Sequence, residues 1–234
     1  MRLPRPRAVL ALTLTLLLAC SAVAVAGLGH NPANSKRLID KPIENFDYDT
    51  AKRCKSSVPK GMRELEDWLQ RNVRGQTWGI YRCEKWGPGS ASLHAEGRAI
   101  DWHLDARNAK DKRAAKQLIK LLLERDRKGN DAALARRMGV QGIIFNCHAW
   151  WSNPGGMTEY SYCFKPNGKR KKNLDPTAAH KDHVHLELNW KGARKRTSFW
   201  RGGGRHDKLA GASREHGALS GRADHAAAEP AGAR

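Results

Sequence analysis

The sequence lacks long apolar stretches after its first 26 residues, pairs of cysteines at CxxC spacing, internal repeats and an excess of acidic residues. No other segment is therefore a candidate for a membrane span, which needs about 20 apolar residues. Without CxxC pairs, a cysteine-type structural zinc site is disfavoured. The 23 acidic residues face 43 Lys and Arg, and the resulting net charge of +20 favours polyanionic partners.

The N-terminus has the pattern of a secretory signal. Three arginines within the first seven residues precede an apolar run over residues 8–19, and the small residues AVA close the segment at position 26. This pattern predicts a signal peptide over residues 1–26 and a mature chain that starts at Gly27. An alternative interpretation is a lipoprotein box in which Cys20 is lipidated, although Leu18 fits such a box poorly. We expect a bacterial protein that is secreted or associated with the cell wall.

Four cysteines remain after cleavage at this point, and an even number fits an oxidising compartment. Four cysteines allow three pairings. We favour Cys54 with Cys83 and Cys147 with Cys163, because each of these pairs closes a short loop. The sequence leaves the other pairings and free buried thiols open.

Composition divides the chain into four parts. Residues 1–26 form the predicted signal, and residues 27–50 are polar without a sustained period, which predicts a tether. Residues 51–200 form the predicted folded domain. Residues 201–234 are rich in Gly, Ala, Arg and His without apolar periodicity, which predicts a disordered tail.

Apolar periodicity predicts a mixture of helices and strands in the domain. Helices are predicted from Met62 to the glycine at 75, over residues 111–127 and over residues 131–138. Strands are predicted over residues 76–81, 99–104, 142–146 and 183–188. The mixed order of these elements indicates an α+β fold, with a mainly antiparallel sheet and flanking helices.

Three histidines and one aspartate form the most informative pattern in the chain. His94 and Asp101 lie in the stretch SLHAEGRAID, and His183 and His185 lie in DHVHLEL. On the predicted strands, Asp101 and the two later histidines occupy the faces opposite to the apolar residues. Two imidazoles and one carboxylate leave the fourth position of a tetrahedral zinc open, as a hydrolytic site requires. The alternative is that these are ordinary polar residues on a loop and on solvent-facing strands.

The run IYRCEKWGPGSASLHAEGRAIDWHLD, followed by DHVH, resembles the LAS metallopeptidases. These include D-Ala-D-Ala carboxypeptidases, murein endopeptidases and the hedgehog signalling domain, which share a YRS segment, the motif SxHxxGxAxD and a final histidine. Tyr81 and Arg82 match the first segment, with Cys83 in place of the serine, SLHAEGRAID matches the second and HVH matches the third. The resemblance covers about residues 76–188.

This resemblance implies a hedgehog-like or DD-peptidase-like fold and a Zn²⁺ ion held by His94, Asp101 and His185. It also implies a proton acceptor beside the ion. Asp182 stands where the carboxypeptidase branch has a glutamate, and His183 is the first histidine of the HxH branch, so both are candidates.

Arg82 resembles the arginine that stabilises the tetrahedral intermediate in these enzymes. Two further residues, His103 and Glu187, share strand faces with the ligands and are candidates for orienting an imidazole. Four tryptophans are candidates for lining a groove, with core packing as the commoner alternative: Trp86, Trp150, Trp151 and Trp190.

The signal and the motif together predict an exported, zinc-dependent hydrolase that cleaves an amide bond in the peptides of peptidoglycan. The alternative is a non-catalytic, zinc-containing module that binds the cell wall. We expect a monomer whose partner is peptidoglycan or another anionic wall polymer. Nucleic acid is not expected as a partner, because the sequence has no recognisable nuclease motif.

Overall fold

The computed structural model describes residues 30–202 of the chain. Within this range the strands are β1 Gln76–Gly79, β2 Lys85–Gly87, β3 Ser90–Ala91, β4 Ala99–His103, β5 Val140–Phe145, β6 His148–Trp151, β7 Thr158–Glu159 and β8 His183–Leu188. The helices are α1 Lys60–Asn72, α2 Ala109–Leu123, α3 Ala133–Met138, α4 Trp190–Ala193 and α5 Ser198–Arg201. Short 3-10 turns cover Pro32–Asn34, Leu93–Glu96 and Ser161–Cys163.

Six strands form one sheet in the order β1-β4-β8-β5-β6-β7, and every neighbouring pair is antiparallel. The strands β2 and β3 form a separate hairpin. The predicted α+β class with a mainly antiparallel sheet is therefore confirmed. The central strands β4 and β8 run side by side, so residues that are far apart in the chain meet at the middle of the sheet.

One face of the sheet forms the main hydrophobic core. Alternate residues of the central strands, such as Ile100, Trp102 and Leu186, are fully buried against apolar side chains of α1, α2 and α3. The residues between them lie on the opposite face, as the period of a strand requires. That opposite face carries the histidines and the aspartate of the motif, and it is buried as well.

The helix α2 ends earlier than its apolar pattern predicts. The pattern extends to Arg127, but the structure ends the helix at Leu123. The carboxylate of Asp126 accepts hydrogen bonds from the backbone N–H groups of Lys128 and Asn130. Such local bonds compete with helical ones and turn the chain into a loop.

The folded part begins upstream of the predicted boundary at residue 51. In the segment that we expected to be a polar tether, Ala33 and Leu38 are fully buried in the main core. The amide of Asn31 donates to the carbonyl of Leu121, which fixes this segment against the end of α2. This segment is held by a few separate contacts and not by one face of a helix or strand. Its apolar residues therefore do not recur at a regular spacing in the sequence.

Both favoured disulfides are present. Cys54 is bonded to Cys83 and Cys147 to Cys163. Two disulfides are compatible with an extracellular protein. Over residues 30–202, none of the helices has the length and the apolar character that a membrane crossing needs. The predicted signal peptide, its lipoprotein alternative at Cys20 and nearly all of the predicted tail lie outside the described residues.

Candidate metal centre

A short turn places the first candidate ligand. The side chain of Ser92 accepts a hydrogen bond from the backbone N–H of His94 and begins the 3-10 turn Leu93–Glu96. Gly97 ends this turn in the left-handed region, with φ at 62°, which costs a glycine little. The chain then reverses into β4, so His94 folds back over the strand that carries Asp101.

The pairing of β4 with β8 places the other two candidate ligands. The register sets Asp101 directly opposite His185, and His103 opposite His183. Directly paired residues have their Cβ atoms about 5 Å apart on the same face of the sheet. The convergence of Asp101 with His185 therefore follows from the strand register.

Three donor atoms converge at this point. His94 Nε2 lies 3.2 Å from Asp101 Oδ1 and 3.2 Å from His185 Nδ1, and the last two atoms are 2.9 Å apart. All three side chains are buried, with between 1% and 6% of their surface exposed. The structure thus brings together all three residues that the resemblance implies as ligands, and this set could hold a metal ion.

Hydrogen bonds on the far side of each ring fix which nitrogen has a free lone pair. His94 Nδ1 lies 2.8 Å from the carbonyl oxygen of Ile80, which only accepts, so this nitrogen carries the proton. His185 Nε2 lies 3.1 Å from Glu187 Oε1 and donates to that carboxylate. The nitrogens that face Asp101 are therefore the ones free for a metal, and their outer partners resemble those of metal-bound histidines.

Glu187 has room to reach His185 because β5 carries a glycine beside it. A Cβ atom built on Gly142 would lie 2.5 Å from Glu187 Oε2. Glu187 was one of two residues that the sequence suggested for orienting an imidazole. The other, His103, instead contacts the backbone carbonyl of Asp182 through Nδ1, at 2.9 Å.

The electrostatics of the three ligands favour a shared positive charge. Burial keeps the pKa of His94 below its ordinary value, despite the attraction of Asp101. Burial acts to raise the pKa of Asp101, but His94 and His185 together hold it well below its usual range. Burial also opposes the charged form of His185, but the carboxylates of Asp101 and Glu187 outweigh burial and raise its pKa to about 9.

Arg82 contacts the ligand set through Asp101. Its Nη1 donates to Asp101 Oδ2 at 2.7 Å, while the other carboxylate oxygen faces the two histidines. The guanidinium is about half exposed, and its Nε lies 3.5 Å from Glu84. Arg82 thus neutralises Asp101 from the solvent side and presents a cation at the edge of the donor set.

The two candidate bases do not occupy equivalent positions. His183 Nδ1 lies 2.8 Å from Asp182 Oδ1, and its Nε2 lies 3.4 Å from Asp101 Oδ1. The second oxygen of Asp182 accepts a hydrogen bond from Thr177 at 2.8 Å. Asp182 therefore reaches the donor set through His183, whose Nε2 faces the ligands.

His180 belongs to this cluster and was not singled out from the sequence. With His183 and His185 it forms a second group whose donor atoms lie within 4.8 Å of one another. Its Nδ1 contacts the carbonyl of Ala178, and burial holds its pKa well below the ordinary value. The spacing HxxHxH was the available signal, but ten histidines in the chain obscured it.

The tryptophans that were suggested for a groove have different positions. Trp150 is core, and Trp190 packs 4.6 Å from the guanidinium of Arg98. Trp151 is partly buried, and Trp86 is two-thirds exposed. Another tryptophan, Trp78, lies near the candidate base, with its ring centroid 6.0 Å from that of His183.

Comparison with known families gives one finding. The family model described as VldE, C-terminal domain, matches residues 54–173, which is just over half of the chain. The match includes His94 and Asp101 and ends upstream of His183 and His185. Neither the curated proteins nor the solved structures contain a match to this sequence.

We predict that Glu187→Gln weakens metal binding without removing a ligand. The neutral amide stabilises the metal-bound imidazole less than the carboxylate does, so the affinity should fall about 10- to 100-fold. A competition titration against a chromophoric chelator measures this. Glu159→Gln, an exposed carboxylate on β7, is the matched control and should bind as the wild type does. Equal affinities for both variants would remove Glu187 from the site.

We also predict that metal binding releases a proton. Below a pKa of about 9 the metal-free protein holds a proton on His185, and a metal must displace it. The apparent affinity should therefore rise about tenfold per pH unit above neutrality and level off as the pH passes the pKa of His185. Calorimetric titration in buffers of different ionisation enthalpy counts the proton. A pH-independent affinity between pH 7 and 9 would contradict this assignment.

Proposed function

The chain belongs to the VldE C-terminal domain family, and we propose that it is an exported, zinc-dependent hydrolase. In this proposal it cleaves an amide bond in the peptides of peptidoglycan, as a carboxypeptidase or endopeptidase. The convergence of His94 Nε2, Asp101 Oδ1 and His185 Nδ1 carries this proposal. The resemblance of residues 76–188 to the LAS metallopeptidases supplies the reaction type. The two disulfides fit export to an oxidising compartment.

The donor set suits zinc in chemistry and in size. Two imidazoles and one carboxylate are the ligands of catalytic zinc sites that keep one position open. Ligand atoms at about 2.0 Å from a tetrahedral ion lie about 3.3 Å from one another. The observed separations of 2.9 to 3.2 Å among His94, Asp101 and His185 come close to this value. When bound, Zn²⁺ would polarise an amide carbonyl and lower the pKa of a water toward neutrality.

His183 takes the proton from the attacking water. Its Nδ1–H donates to Asp182, so Nε2 carries the lone pair and faces the ligand set. The carboxylate of Asp182 stabilises the imidazolium that forms, and Thr177 holds that carboxylate in place. His183 then returns the proton to the leaving amine.

Arg82 stabilises the negative charge that develops on the attacked carbonyl oxygen. It contacts the candidate ligand Asp101 directly, and about half of its side chain is exposed to solvent. A fixed guanidinium in this position stabilises an oxyanion more than it stabilises the neutral carbonyl. We propose an anionic cell-wall polymer as the partner, because the chain has a net charge of +20.

We predict that the mature, zinc-loaded protein cleaves peptidoglycan fragments and that His94→Ala abolishes zinc binding and cleavage together. Metal analysis and mass spectrometry of the products measure the two effects. His148→Ala, an exposed histidine on β6, is the matched control and should keep both zinc and activity. Zinc binding without cleavage would identify the alternative, a wall-binding module. Equal cleavage by the metal-free protein would disprove the mechanism.

We further predict that Asp182→Asn lowers kcat about 10²- to 10⁴-fold, with unchanged zinc content. An amide at position 182 no longer stabilises the imidazolium and allows His183 to turn its proton toward the ligands. Thr177→Val removes only the bond to the far carboxylate oxygen and should cost much less. Steady-state kinetics of both variants on one purified peptide substrate measure the two losses in kcat. A loss in Thr177→Val as large as that in Asp182→Asn would contradict the proposed order of roles.

A further inference from the structure

Exposed aromatic side chains are concentrated beside the candidate metal centre. Over residues 30–202, four large apolar side chains are exposed, and three of them fall within residues 78–86: Trp78 at 48%, Tyr81 at 38% and Trp86 at 67%. The same short segment carries Arg82, which contacts Asp101. Exposed aromatic clusters of this kind mark binding surfaces, because burial is the ordinary fate of such side chains.

Trp78 is held in a fixed orientation on the edge strand β1. Its ring stacks on His103, with centroids 4.3 Å apart and planes 14° from parallel. His103 is itself fixed through the contact of its Nδ1 with the carbonyl of Asp182. One face of the indole is therefore covered, and about half of the side chain remains open to solvent.

Trp78 also lies near His183, the catalytic histidine of the proposed function. The centroid of the Trp78 ring is 6.0 Å from that of His183. The atoms of a group that stacks on the indole would lie at van der Waals distance, roughly 3.5 to 4 Å, from the atoms of the ring. Because the two rings are only 6.0 Å apart, a peptide attached to a sugar that is anchored there would be within reach of His183.

We propose that Trp78, in the same exposed segment as Tyr81 and Trp86, is a stacking surface for a pyranose ring, so that the preferred substrate is a peptide still attached to its glycan. The C–H groups on one face of a pyranose carry partial positive charge and meet the negative face of the indole. A fixed, half-covered ring loses little freedom when it binds a sugar. This inference rests on the proposed function for the reaction, but the sugar contact is testable without it.

The first test measures binding of a glycan-strand disaccharide that carries no peptide to the zinc-loaded mature protein, by calorimetry or by NMR titration. Trp78→Ala should weaken binding about tenfold or more. Trp78→Phe keeps an aromatic face and should retain most of the affinity.

Tyr48→Ala is the matched control for this binding test. It removes a similarly exposed ring that packs against Trp151 on β6, four strands away from β1 in the sheet. This variant should bind the disaccharide as the wild type does. Unchanged binding in Trp78→Ala, or an equal loss in Tyr48→Ala, would overturn the proposal.

The second test separates a sugar contact from a structural role of Trp78. With a glycan-linked peptide and the same peptide without glycan as substrates, Trp78→Ala should raise KM for the first about tenfold more than KM for the second. An equal effect on both substrates, or a loss of zinc, would assign Trp78 to the support of His103 and overturn the proposal. If neither substrate is cleaved, the proposed function fails, whereas the binding test still decides the sugar contact.

Discussion

The site depends on one electrostatic constraint: three atoms with lone pairs meet within about 3 Å of one another in a buried space. His94 Nε2 and His185 Nδ1 cannot face each other and Asp101 Oδ1 unless a positive charge lies between them. In the absence of a metal, a proton on His185 meets this need, which accounts for its raised pKa. A bound cation meets it with all three atoms at once. A proton on His185 or a metal ion held by all three residues could therefore supply the positive charge at this site.

The scaffold creates this constraint with few elements. The pairing of β4 with β8 aligns Asp101 with His185, and the turn that Gly97 ends folds His94 over them. Outer hydrogen bonds, including the one to Glu187, then fix each imidazole. Because the two strands lie in the middle of the sheet and pack the main core with their other face, the same burial that stabilises the fold holds the ligands in place.

The sequence predicted the elements of this fold whose apolar residues recur at the regular spacing of a helix or a strand. Strict alternation in HVHLEL predicted the strand over residues 183–188, and the structure has the same bounds. It did not predict that residues 30–50 pack on the core, because contacts such as that of Asn31 with Leu121 join positions 90 residues apart. His180 was missed for a related reason, since it lies outside the strand pattern and reaches its neighbours through a loop.

The resemblance left open how an aspartate at position 182 replaces the longer glutamate of the carboxypeptidase branch. Both oxygens of Asp182 are engaged, one by His183 and the other by Thr177. A carboxylate held in this way is a poor proton acceptor for water but a good support for an imidazolium. We infer that the shorter side chain is compatible with the proposed mechanism, because His183 would then accept the proton through its Nε2, which lies 3.4 Å from Asp101 Oδ1.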